Sequence, residues 1–231
     1  MAERNAKLIL MVGVLGVSAS AILVRFSQAP SGVTAAYRLG WTVLLLLPVV
    51  LLRCRAELRR VTARDLVLCG ASGVLLALHF LTWFESLKRT SVASSTVLVS
   101  TEVIFTALGF ALFLHGKIPR LGVWAILLAF GGSALLALSG GGGAGELSGN
   151  LLALAAASAA AVYTLIGRIQ RGHLSTTVYT FLTYLACFLT LLLGTAAAGT
   201  PLTGYGGREW LIGLALAVLC TLLGHSLFSW C

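Results

Sequence analysis

Runs of apolar residues broken by short polar or glycine- and proline-bearing segments make up most of this chain. Eight stretches reach or approach the ~20 residues needed to cross a bilayer as a helix: Leu8–Phe26, Val33–Leu52, Leu66–Leu87, Val92–Leu114, Leu121–Leu138, Leu151–Ile169, Val178–Ala198 and Trp210–Trp230. The runs are continuous and lack the in–out alternation of a barrel strand, so each reads as a helix. Ala29-Pro30-Ser31-Gly32 turns the first hairpin and Gly116-Lys117-Ile118-Pro119 the fourth loop. Ser139-Gly140-Gly141-Gly142-Gly143-Ala144-Gly145 reads as a flexible linker between the fifth and sixth spans.

Composition sharpens this. The chain has 231 residues, of which 58% are hydrophobic and 10% charged, with a mean hydropathy of +0.99. So few charges cannot cover a water-soluble globule, which carries roughly a quarter charged residues. The expected fold is an all-α integral membrane protein, with the lipid bilayer as its first partner. The net charge of +9 comes from Arg and Lys scattered between apolar runs, with no basic stripe for nucleic acid. Eleven of the sixteen basic residues (Arg4, Lys7, those of Arg53–Arg64, Lys117, Arg120, Arg168, Arg171) fall on one side. Arg25, Arg38, Lys88, Arg89 and Arg208 fall on the other. That bias predicts a cytoplasmic N-terminus in the inner (plasma) membrane. The apolar run resumes after Ser18-Ala19-Ser20-Ala21, so the first span is expected to stay uncleaved. The five cysteines show no ligand spacing and read as small buried hydrophobes. No metal or cofactor motif is present.

An internal repeat emerges at lower contrast. Ser18–Arg25 resembles Ala161–Arg168 in its small-then-apolar-then-Arg order, and Leu76–Leu81 resembles Leu222–Leu227 with a histidine, His79 or His225, at the same place. The linker follows five spans, an odd number, so a second copy enters the membrane upside-down. The expected organisation is a first five-helix repeat over residues 1–139, a glycine-rich linker over 140–149, and a second repeat over 150–231. The second holds three helices, making eight spans present of an expected ten in two inverted five-helix repeats. The expectation is a chain cut short at its C-terminus, lacking the last two helices, with a natural eight-span protein as the alternative.

Several stretches resemble the EamA family of the drug/metabolite transporter superfamily. They are Ser18–Phe26, Ala35-Ala36-Tyr37-Arg38-Leu39-Gly40 with Leu44–Pro48, and above all Leu78–Ser95, whose Thr90-Ser91-Val92-Ala93 resembles that family's opening of the fourth span. Ser100-Thr101-Glu102-Val103-Ile104-Phe105 is similar to its Ser-x-Glu-Pro-x-Phe element, with Val103 where proline is usual, so a kink there is not assured. Leu114-His115-Gly116-Lys117 stands where the family carries a Gly-Glu pair. The resemblance implies ten spans in two inverted repeats and the movement of small metabolites. The expected activity is secondary transport, with export as the expected direction, of small metabolites such as amino acids across the cytoplasmic membrane by alternating access. Protons are the candidate coupling ion, and a homodimer is left open. The alternatives are an integral membrane enzyme using His79, Glu102 or His225, and a non-functional fragment. No H-E-x-x-H, G-x-S-x-G or P-loop motif supports catalysis.

Ionisable groups inside spans are costly and mark candidate sites. Glu102 lies about 16 Å along its helix from Ser91 at ~1.5 Å per residue, and Ser91, Ser95, Glu102 and Thr106 fall on one face of a regular helix. Glu102 reads either as a proton- or cation-binding carboxylate or as one held neutral by interhelical hydrogen bonds. His79, Trp83 and Ser86 share a face, as pocket lining or as packing. Arg38, with Tyr37 beside it, either clamps a substrate carboxylate or snorkels, and Arg25 reads as snorkelling. Glu85 reads as an ion-pair partner of Lys88 and Arg89. Ala125, Ala129, Ser133 and Ala137 form a close-packing seam. The substrate-binding or coupling set is Glu102, His79, Trp83, Arg38, Tyr37, Ser95 and His225.

Overall fold

The computed structural model describes residues 19–139 and 144–225, and among them the only regular structure is helical. A short helix α1 (19–26) leads through Pro30 into α2 (Ser31–Arg53). A four-residue turn α3 (Arg55–Leu58) precedes α4 (Ala63–Arg89), which starts at a Thr62–Asp65 capping box. Then come α5 (Val92–Val99), α6 (Glu102–Phe113), α7 (Arg120–Ser139), α8 (Ala144–Gln170), α9 (Thr176–Ala197) and α10 (Gly207–Ala215). The last runs on as a π-helical segment, Leu216–His225.

Five stretches of described helix are long and apolar enough to cross a membrane: Ser31–Arg53, Ala63–Arg89, Val92–Phe113, Glu146–Gln170 and Thr176–Ala197. The first expected span is described only from residue 19 and the last only to residue 225. Within the fifth, Arg120–Gly132 is a shorter apolar helix. The side-chain distribution is that of a bundle in lipid. Leu52, Leu121, Leu128 and Phe113 face outward, whereas Arg38, Thr42, Ser72, Ser86, Ser95 and Thr183 are enclosed. Polar groups withdrawn from lipid must find partners within the protein.

Two expectations need correction. The linker over 140–149 is helical from Ala144 onward. Glu146 lies in the first turn of α8, where a carboxylate offsets the unsatisfied N–H groups, and Asn150 accepts a 2.9 Å bond from Thr90 that pins the helix start. Residues 140–143 lie outside the described residues. The fourth span is interrupted although no proline is present. Thr101 N–H bonds back to Leu98 O (3.1 Å) and Val103 N–H to Ser100 O (3.4 Å), an i→i−3 pattern that separates α5 from α6.

Two glycines let helices of different segments approach each other closely. A Cβ on Gly73 of α4 would stand 2.6 Å from Ala186 Cβ and 2.7 Å from the backbone of Thr183 and Cys187 in α9. One on Gly213 of α10 would stand 2.7 Å from Tyr37 Cβ in α2. α2 and α9 also pack on each other. Helices without a hydrophobic drive to associate in lipid rely on such approaches. Gly73→Ala, meeting backbone on the facing helix, is expected to lower the melting temperature of the detergent-purified protein through an overpacking cost of about 1–3 kcal/mol. An unchanged melt would show that α4 and α9 have room to part.

Candidate functional site

Arg38 lies in the middle of the bundle with its side chain fully enclosed. Its Nε donates to Thr221 Oγ1 at 2.8 Å and its Nη1 to Ser20 Oγ at 3.2 Å, while Nη2 has no partner. The guanidinium carbon sits 4.3 Å above the Phe80 ring. The one ion pair among the described residues is Arg89–Glu85 at 2.9 Å, so no described carboxylate compensates Arg38. An enclosed charge with no counter-charge is expensive. The hydroxyls and the aromatic face offset only part of that cost.

α4 brings two more predicted residues to the same place. His79 packs 5.1 Å from Phe80 and 5.9 Å from Trp83, ring centroid to centroid. Its Nδ1 donates to Ala156 O at 3.0 Å, and because a carbonyl only accepts, the proton is on that nitrogen. The Trp83 indole N–H is buried without a partner. Arg38 and His79 therefore flank Phe80, with Trp83 packed on His79, in a place built from α1, α2, α4, α8 and the π-helical segment, and two hydrogen-bond donors there are unused.

Glu102 belongs to a second place. The break before α6 puts it at the first turn of that helix, where Oε1 accepts from Thr164 of α8 at 2.9 Å. Glu102, Thr106, Phe110, Thr164, Arg168 and Arg171 line a cavity of about 340 Å³ between α6 and α8. The Thr106 hydroxyl is buried and unpartnered. Arg168 stacks 4.3 Å over Phe110 and forms no ion pair with Glu102. Neither basic residue figures among the site residues expected above, because both read as loop charges at the end of a span.

The rest of the predicted set lies elsewhere. Tyr37 points the other way round α2 from Arg38, stacks on Trp210 at 4.0 Å and donates to Leu202 O at 2.6 Å. Ser95 accepts a 2.9 Å bond from Ser86 between α5 and α4 and does not line the Glu102 cavity. The single face expected for Ser91, Ser95, Glu102 and Thr106 is thus split by the helix break, with Ser91 capping α5. The side chain of His225 lies outside the described residues. Arg25 donates to Leu87 O, and Glu85 pairs with Arg89 while Lys88 donates to Ala29 O. Ala125 and Ala129 are exposed, and Ser133 and Ala137 lie outside the described side chains.

A family model described as the EamA-like transporter family matches residues 5–138. A solved structure titled "Crystal structure of protein" is 21% identical, with a TM-score of 0.66 over 98% of this chain and 78% of that one. No curated protein matches the sequence.

Proposed function

This chain belongs to the EamA-like transporter family, and from that premise we propose that it is a secondary transporter that exports small anionic or zwitterionic metabolites, amino acids among them, across the cytoplasmic membrane. The observation that carries the reading is Arg38: a fully enclosed guanidinium with one nitrogen unbonded and no described acid beside it. A carboxylate entering the bundle would supply that counter-charge and accept two parallel N–H bonds from the guanidinium fork. Trp83 offers a further donor, and Phe80 and His79 wall the site. Glu102, in its own cavity beside Thr164, is assigned the coupling proton.

In this reading eight spans form two inverted repeats, over 1–139 and 150–231, that rock about the shared site, with the N-terminus in the cytoplasm. The packing supports it. α4 of the first half closes on α9 of the second through Gly73, and α10 of the second closes on α2 of the first through Gly213. That is one contact made twice with the halves exchanged.

Purified protein in liposomes loaded with labelled amino acids and simple carboxylates is expected to release them down an imposed gradient. The corresponding uncharged amides are expected to move at least about tenfold more slowly, one charge-assisted interaction being worth about that factor. Equal flux of acids and amides would remove the role given to Arg38, and no flux of any of them would remove the transport reading.

A further inference from the structure

Two acids that open helices make reciprocal contacts at opposite ends of the bundle. Glu209, in the first turn of α10, accepts from Ser27 Oγ at 2.6 Å and from the Gln28 backbone N–H at 3.1 Å, just after α1 ends. Asp65, in the first turn of α4, accepts from Gln170 Nε2 at 3.1 Å, where α8 ends. α2 connects the two ends, and its 23 residues span about 34 Å at ~1.5 Å each. In both cases the acid that opens the third span of one half holds the end of the first span of the other half. The sequence carries the same pair at both places, Arg64-Asp65 and Arg208-Glu209.

A carboxylate in a first helical turn has a local use, compensating the helix N-terminus. That covers part of Asp65, whose other oxygen accepts from the Thr62 backbone and hydroxyl. It does not cover Glu209, whose described partners both lie in the other half, while α10 starts at Gly206 with no side-chain cap. Glu209 and Gln170 are buried, at 6% and 1% exposure, whereas Asp65 is half-buried, so the Glu209 latch is the more enclosed of the two. Each latch has a strap beside it: Ser175 N–H to Glu57 Oε1 (2.6 Å) on the Asp65 face, and Arg208 Nη2 to Phe26 O (3.0 Å) on the Glu209 face.

We propose that Glu209 with Ser27–Gln28 and Asp65 with Gln170 are the two gates of the bundle, each closing one end of the path to Arg38 and opened in turn. The assignment rests on the transport reading for its purpose but not for its test. Both latches are made in this structure, in which the Arg38 side chain is fully enclosed. Releasing one frees the junction of α1 with α10, or of α8 with α4, while the other holds the halves together.

Cys220, next in sequence to the Thr221 that holds Arg38, is fully buried and serves as a native reporter. With the other cysteines replaced (Cys54→Ser, Cys69→Ala, Cys187→Ala, Cys231→Ser), the full chain is reconstituted in liposomes. It is then exposed from one face at a time to the membrane-impermeant anion sulfonatoethyl methanethiosulfonate. The parent is expected to react slowly from both faces. Glu209→Ala, losing two bonds to a charged group, is expected to raise the rate about tenfold or more from the Glu209 face alone. Gln170→Ala, which spares the Asp65 capping box, is expected to give the mirror result. A rise from both faces in either variant, or from neither face, overturns the proposal. If Glu209→Ala does not fold, Ser27→Ala removes the 2.6 Å bond to Glu209, together with a local 2.7 Å contact to Thr34, and leaves the Gln28 bond in place; it is expected to give a smaller rise on the same face, and the same two outcomes overturn the proposal. Labelling needs no substrate. One-sided labelling without flux would therefore remove the transport reading and leave the gates, whereas flux with two-sided labelling would remove the gates and leave transport.

Discussion

Arg38→Met is expected to cut carboxylate flux in liposomes by about a hundredfold while leaving the protein as stable as the parent or more so. The two effects have opposite signs because they arise from different states. At rest the guanidinium is enclosed with two hydroxyl partners, an aromatic face and an unbonded nitrogen. Exchanging an enclosed, incompletely compensated charge for an apolar side chain of similar length is often neutral or stabilising. With substrate bound, the fork would make two charge-assisted bonds, each typically worth about 1.5–3 kcal/mol, and losing both accounts for a hundredfold even at the low end of that range. Arg38→Lys keeps a charge but loses the planar fork, the contact to Thr221 and the stacking on Phe80. Flux is therefore expected to fall by about tenfold even though the substitution conserves charge. Flux from liposomes and a melt in detergent read the two effects separately. Loss of flux together with a large loss of stability would instead make Arg38 a structural pin between α1, α2 and the π-helical segment.

The helices themselves were legible because an apolar run near 20 residues has few other physical outcomes, and α2, α4 and α9 match the expected spans to within two or three residues. The enclosed polar groups were legible in part. A polar residue inside an apolar run has to be enclosed, which located Arg38 and His79, but the direction each takes around its helix depends on neighbours from distant segments. Tyr37 and Arg38 are adjacent, yet one meets Trp210 and the other Phe80. The break at Ser100–Thr101 was hidden because no proline or glycine marks it. Without it Ser95 and Glu102 seemed to share a face. The start of α8 was hidden by the glycines before it, since neither Glu146 in its first turn nor Asn150 held by Thr90 stands out against a flexible linker. Glu209 and Asp65 do carry a sequence signal, since Arg64-Asp65 and Arg208-Glu209 stand at corresponding places, but a two-residue match carries little weight beside apolar runs of about 20 residues.

Glu102→Gln is expected to abolish accumulation driven by a pH gradient while leaving substrate exchange across the membrane within about a factor of three of the parent. Glutamine keeps an oxygen for the Thr164 hydroxyl, so the α6–α8 contact at 2.9 Å survives the substitution and the cavity keeps its shape. What it loses is the ability to bind and release a proton. Exchange needs only that the loaded protein change its access, whereas uphill movement needs a second ligand whose binding differs between the two faces; without that difference nothing couples the gradients. The position suits the role, since Glu102 follows a tightened turn in its span and faces a cavity in which the Thr106 hydroxyl beside it is unspent. Counterflow and pH-jump uptake measured on the same liposomes distinguish the outcomes. If both are lost, the carboxylate holds the substrate itself; if both persist, the coupling ion binds elsewhere.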